Sequence, residues 1–286
     1  MKTVTNQRCD DALSPVERTI AAGGIGWHYL EWGERGPALV LWHGITSSAR
    51  NWWRVGPLLA GLGFHVYAPD LPGHGSTDDA PGDYSVEHTA RLLDAWLAAL
   101  GLDAPVILGH SWGGLNALAH ATQPDAQVHA RALVLEDPAM VLWPEPGPQH
   151  LAGFTNGLGT PRNEATLAEI AAANPRWHDC DVWWKAEARQ QARRAAVEGF
   201  LLDNAGINAT ARLHQLTVPT LLLLGDAAHG GIWSAEHVAY VRESGLAQVA
   251  VEVVAGSTHN LHRDSFELFS MALGRFVRQF VERPGR

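Results

Sequence analysis

The sequence predicts an α/β fold: a doubly wound, mostly parallel sheet with a helical segment inserted into it. Three observations carry this. Short apolar runs alternate with longer amphipathic stretches along most of the chain. The runs are continuously apolar, as strands covered on both faces must be. One stretch, 139–211, breaks the rhythm and holds no convincing strand.

In chain order, "GIGWHYLEWG" (24–33) reads as an early, antiparallel edge strand. "ALVLWHG" (38–44), "FHVYAPD" (64–70), "PVILGHS" (105–111), "RALVLED" (131–137), "TLLLLGD" (220–226) and "VAVEVVAG" (249–256) read as buried strands. In 85–101, Val86, Ala90, Leu93, Leu97 and Leu100 share one helical face, with Ser85 as N-cap and Gly101 as stop. In 264–282, Phe266, Phe269, Leu273, Phe276 and Phe280 do the same, and Asp264 and Glu267 have capping-box spacing. Strands alternating with helices through right-handed crossovers give the doubly wound sheet. The expected organisation is a loose N-terminal tail over 1–20, a core over 21–138 and 212–286, and a helical cap over 139–211.

The chain has 286 residues, 46% hydrophobic and 18% charged, which is an ordinary globular composition. A net charge of −9 argues against nucleic acid or an anionic membrane as partner. The basic cluster "EARQQARRAA" (187–196) reads as a solvated helix face. Cys9 and Cys180 suggest neither a disulfide framework nor a metal or redox motif. The N-terminus is too polar for a secretory signal and no apolar run is long enough to span a bilayer, so the expected location is the cytoplasm. The 15 histidines are not paired at ligand spacing, so no metal is expected. "GDAAHGG" (225–231) lacks the spacing of a nucleotide loop, and no cofactor is implied.

"VILGHSWGG" (106–114) places Ser111 in G-x-S-x-G, after a strand and at the start of a helix. That is the setting of a nucleophile elbow, where side chains at 109 and 113 would strike neighbouring backbone. A serine hydroxyl needs a base. For this motif the base follows the acid in the chain and sits on a loop at the carboxyl edge of the sheet. His259 fits; His262, nearer the helix start, reads as structural. His110 reads as packing below the nucleophile.

"LWHGITSS", "YAPDLPGHGST", "ILGHSWGG", "LEDPA", "LLLLGD" and "GSTHNLHRD", in that order, resemble the landmarks of the α/β-hydrolase superfamily over about 38–265. The resemblance implies an oxyanion hole from the backbone N–H groups of Trp112 and Ile45, the latter following His43-Gly44. It also implies that Asp70 and His74 are structural. In most of these folds the triad acid stands three residues after the glycine ending the seventh strand. Here that glycine is Gly225, and position 228 is Ala228. Asp226 lies one residue past the glycine. A second location in the superfamily is the end of the sixth strand, where Glu136 and Asp137 stand, and D-P-A there resembles pancreatic-type lipases. Asp137, Asp226 and Glu136 are the candidates.

The implied activity is a cofactor-independent serine hydrolase of small hydrophobic or aromatic esters or lactones, acting as monomer or homodimer. The cap holds Trp143, Trp177, Trp183 and Trp184, of which Trp143, Trp183 and Trp184 are the expected substrate contacts. Haloalkane dehalogenases and epoxide hydrolases carry aspartate where Ser111 stands, which disfavours both. A carbon–carbon bond hydrolase of ring-cleavage products, or a ligand receptor with a retained site, is the alternative.

Overall fold

The structure, a computed structural model, describes Cys9 and residues 14–282. Eight strands form one sheet: β1 (Val16–Ala22), β2 (Ile25–Trp32), β3 (Ala38–Trp42), β4 (His65–Pro69), β5 (Val106–His110), β6 (Ala132–Glu136), β7 (Thr220–Gly225) and β8 (Val249–Val254). Their spatial order is β1-β2-β4-β3-β5-β6-β7-β8. β2 is antiparallel to β1 and β4, and the remaining pairs are parallel. Two expectations need correction. Residues 16–20, expected in a tail, pair with β2, and β2 is therefore not the edge. β1 alternates weakly and is mostly exposed, so its sequence carries little strand signal.

The parallel strands are buried on both faces, and successive residues divide between two cores. Val40, Trp42, Ile107, Leu133, Leu135, Leu222 and Leu224 enter one. Leu39, Leu41, Val106, Leu108, Val134, Leu221 and Leu223 enter the other. This period of two is the pleat itself. The first core is closed by α2 (Val86–Ala99), α3 (Trp112–Ala121) and α8 (Ala235–Glu243), the second by α1 (Val55–Gly61) and α10 (Phe266–Glu282). Each fully buried large apolar side chain contributes roughly 1.5–3 kcal/mol.

Ser85 caps α2 by accepting from the His88 N–H (3.3 Å). The C-terminal helix is broken: α9 (Leu261–Asp264) precedes α10, and Asp264 accepts from Thr258 Oγ1 instead of forming a capping box with Glu267. That loop-closing contact outcompetes the local cap.

Between β6 and β7 lie α4 (Pro148–Thr155), α5 (Glu164–Ala173), α6 (Asp179–Gln191) and α7 (Arg194–Asp203), more than the two helical stretches read from the sequence. The basic cluster is no continuous helix face. It spans the α6–α7 junction, where the Arg193 N–H and Nη1 donate to Gly73 O (2.9 Å) and Thr77 O (2.6 Å). Asn204 and Asp203 accept from the backbone N–H groups of Val86 (2.7 Å) and Tyr84 (2.8 Å). Nothing in the sequence suggests a disulfide, yet Cys9 and Cys180 form one that joins Cys9 to α6. Their 171-residue separation hides the pairing from any spacing rule. Among the described residues, no helix is long and apolar enough to cross a membrane.

Candidate active site

Ser111 stands between the end of β5 and the start of α3 with φ 54° and ψ −114°. A non-glycine residue there costs on the order of 1–3 kcal/mol and persists only where its surroundings enforce it. They do: the Ser111 N–H donates to Glu136 O (2.9 Å), and its carbonyl accepts from Leu115 (3.0 Å) and Ala139 (3.1 Å). A Cβ on Gly109 would fall on the Gly113 carbonyl, and one on Gly113 on the Trp42 carbonyl. The glycines let β5, α3 and the β3 exit close on one another.

Asp137, at the end of β6, has φ 37° and is fully buried. Its carboxylate accepts from three donors: Gly225 N–H (3.1 Å), Ile232 N–H (3.0 Å) and His259 Nδ1–H (2.7 Å). The loop after β7 therefore supplies donors to the acid of β6 rather than an acid of its own. With its proton on Nδ1, His259 has Nε2 as the free base, and His259 and Ser111 line one cavity of about 270 Å³. Asp226 is turned away. It accepts from the N–H groups of Ala228 (3.0 Å) and Gly256 (2.9 Å) and from His229 Nδ1 (3.0 Å). It closes an Asx turn, and its place among the triad candidates is a correction.

Glu136 is also taken, by the other histidine. His262 donates to its Oε1 through both N–H (2.9 Å) and Nδ1–H (2.8 Å). Arg263 Nε donates to His262 Nε2 (3.2 Å), so that nitrogen is occupied too. His110 lies between the two histidines, its ring centroid 4.7 Å from His259 and 5.0 Å from His262. It donates through Nε2 to His259 O (2.9 Å) and so ties the His259 loop to β5, the strand leading to Ser111. Burial, with His259, His262 and Arg263 nearby, holds His110 well below the ordinary imidazole range. His110, Glu136 and His262 lie close enough to share an ion. With both His262 nitrogens hydrogen-bonded, this set does not suit a metal.

The β3 exit loop packs against the serine: a Cβ on Gly44 would come 3.1 Å from Ser111 Cβ. Trp112 opens α3, so its N–H has no acceptor within the helix. Among the described residues the Ile45 N–H has no hydrogen-bond partner either. The loop is fixed from below. His43 Nδ1 donates to Gly44 O (2.8 Å) while Nε2 accepts from Leu71 N–H (2.9 Å). His74 Nε2 accepts from Thr46 N–H (3.3 Å), and Asp70 accepts from Ala49 N–H (2.8 Å). Burial pushes His43 down to about 4 and His74 to about 3.

The α/β-hydrolase fold family model matches residues 37–265. The chain belongs to the α/β-hydrolase fold family. It is 30% identical over 265 residues to an N-formylmaleamate deformylase of Pseudomonas putida strain KT2440, covering 90% of this chain and 95% of that protein. The solved N-formylmaleamic acid deformylase of Pseudomonas putida S16 superposes with a TM-score of 0.77 at 26% identity, covering 90% of this chain and all of that one. A bifunctional epoxide hydrolase 2 of Sus scrofa is 35% identical over 109 residues, 37% of this chain and 20% of that protein.

In this α/β hydrolase the three expected tryptophan contacts do not line the cavity. Trp143 is 42% exposed and stacks on His150 (4.3 Å). Trp183 lies under the Arg162 guanidinium, and Trp184 packs on the disulfide. Aromaticity alone does not say which way a helix is rotated. The cavity instead takes Trp177 and Phe154, and two cations the sequence reading missed: Lys185 of α6 and Arg263 of α9. A signal existed for the first. The whole chain has two lysines, Lys2 and Lys185, and Lys185 follows the tryptophan pair of the insertion.

Proposed function

We propose that this chain is a cofactor-independent serine hydrolase that passes a small acyl group to water through an acyl-enzyme on Ser111. The observation that carries it is the 2.7 Å bond from His259 Nδ1 to Asp137, with His259 and Ser111 on one cavity. Ser111 Oγ attacks the substrate carbonyl as His259 Nε2 takes its proton, and Asp137 stabilises the imidazolium that forms. The Ile45 and Trp112 N–H groups receive the oxyanion. His259 then protonates the leaving group, and water attacks the acyl-enzyme by the reverse proton path. The helices between β6 and β7 act as the cap.

The same chemistry opens esters, lactones and amides. The deformylase relative favours a C–N bond, so amides belong beside esters among the substrates to test. Serine at position 111 opposes the aspartyl-ester route of the epoxide hydrolases. The Cys9–Cys180 bridge favours an oxidising compartment over the expected cytoplasm, because reducing compartments keep thiols apart.

The test is a panel of chromogenic esters, lactones and N-acyl amides, together with a fluorophosphonate. Turnover and a mass increment on Ser111, both absent in Ser111→Ala, are expected. Modification elsewhere, or undiminished turnover by Ser111→Ala, overturns the reading. Cleavage of a vinylogous 1,5-diketone without ester or amide turnover would favour the carbon–carbon alternative.

A further inference from the structure

Among the described residues, two basic side chains and no carboxylate line the cavity of Ser111 and His259. Lys185 reaches in from α6, and its Nζ donates to Thr46 O (2.8 Å) and Thr46 Oγ1 (2.7 Å). Those bonds use two of its three N–H groups. Arg263 comes from α9 and is 3% exposed. Its Nη2 donates to Asn51 Oδ1 (2.6 Å) and Ser47 Oγ (3.3 Å), and its guanidinium lies 4.3 Å from the Trp177 ring. Among the described residues its Nη1 has no hydrogen-bond partner, and neither cation forms an ion pair. Asp181, Glu136 and Asp264 act on Arg263 only at longer range, and among the described residues Lys185 has no carboxylate within ion-pair distance. Burial, with Arg263 and Arg189, pushes the Lys185 ammonium well below the ordinary lysine range, and an anion beside it would favour the charged form again.

A buried charge without a counter-ion is costly, and the cost is removed when an opposite charge arrives. Both cations flank residues 46–47, directly after the Ile45 N–H. We infer that Lys185 and Arg263 form an anion subsite beside Ser111, and that the substrate carries a carboxylate as well as the reacting acyl group. This rests on the acyl-transfer reading above. It also replaces the purely hydrophobic substrate expected from the tryptophans. The two cations meet from different elements, so the subsite is complete only when α6 and α9 are both in place. A carboxylate there is held by charge-assisted donors, and the aromatic faces of Trp177 and Phe154 take the carbon skeleton.

The full chain is assayed with 4-nitrophenyl hemisuccinate and 4-nitrophenyl methyl succinate, which differ in whether the distal carboxylate is free. The labelling rate of Ser111 by a neutral fluorophosphonate is followed in the presence of succinate or succinamide. The expected kcat/KM ratio favours the free carboxylate by roughly 10- to 100-fold, and succinate but not succinamide slows labelling. In Lys185→Met and Arg263→Gln the ratio falls toward one. A bracing role for the cations would lower both substrates alike and leave the ratio unmoved. A wild-type ratio near one, with no protection by succinate, overturns the subsite even if neither variant folds. Persistence of the ratio in both variants overturns it as well. Absence of Ser111 labelling in the untreated protein defeats the acyl-transfer reading instead, so the two failures are distinct.

Discussion

Glu136 and Asp137 are neighbours in sequence and hold different histidines. Asp137 bonds His259 at 2.7 Å, and Glu136 bonds His262 at 2.8 Å. Asp137, with φ 37°, directly follows the last residue of β6, so the two carboxylates leave the strand end for different partners. One pair faces the cavity, while the other is sealed beneath Trp52 and Phe269.

The pairs should separate under mutation. Asp137→Asn removes the acceptor that orients His259 and is expected to lower kcat by about 10³- to 10⁴-fold. Glu136→Ala strands two donors of a buried histidine and is expected to cost on the order of 1–3 kcal/mol of stability, with a much smaller fall in kcat. Asp226→Ala, at an exposed Asx turn, should leave kcat within a few-fold. Steady-state kinetics and urea denaturation on the three variants read this directly. A larger kcat loss at Asp226 than at Asp137 would reverse the assignment.

Acid should destabilise the fold through the histidines beneath the loop after β3. Burial holds His43 at about 4 and His74 at about 3. In the unfolded chain an imidazole titrates near pH 6.5. Between those values the unfolded chain binds protons that the folded one refuses. Stability is thus full above about pH 6.5 and declines as pH falls toward 4. Each histidine contributes about 1.4 kcal/mol per pH unit in that window. His28 acts in the opposite sense, because Asp70 and Glu17 outweigh its burial and raise it. Urea midpoints at pH 7.5 and 5.5 measure the net effect; equal midpoints would refute it.

Glycine positions offer a contrast in sign. Gly113→Ala drives a methyl group into the Trp42 carbonyl and is expected to cost about 1–3 kcal/mol or more and to displace Ser111. Gly153→Ala, within α4 where nothing lies within 4 Å of the added carbon, should stabilise by about 0.4–1 kcal/mol. Thermal melts with a parallel activity assay distinguish the two.

Reduction of Cys9–Cys180 releases the N-terminal segment from α6. The oxidised protein is expected to be more stable by about 2–4 kcal/mol. Denaturation with and without a thiol reductant, with Cys9→Ser as the control, checks it. The control should melt with the reduced form and be indifferent to the reductant.

What was legible in the sequence was what local chemistry dictates. The parallel strands announce themselves as apolar runs, and Ser111 is framed by glycines that nothing larger can replace. His259 follows from its place between the last strand and the last helix. The carboxylate that bonds His259 was harder to pick, because reaching Asp137 requires knowing that Gly225 and Ile232 turn their N–H groups onto it. The disulfide and the broken C-terminal helix rest on contacts that spacing does not encode. Trp184 and Lys185 are adjacent, yet about 100° of helix rotation sends one to the disulfide and the other to the cavity.

The hydrogen bond from His110 to the His259 carbonyl spans 149 positions in the chain. It ties the strand that ends at Ser111 to the His259 loop through no residue of the helices between β6 and β7. Those helices are thereby open to wholesale exchange during divergence. A new insertion can bring a different residue to the place of Lys185, and with it a new appetite, while the reacting atoms stay where they are.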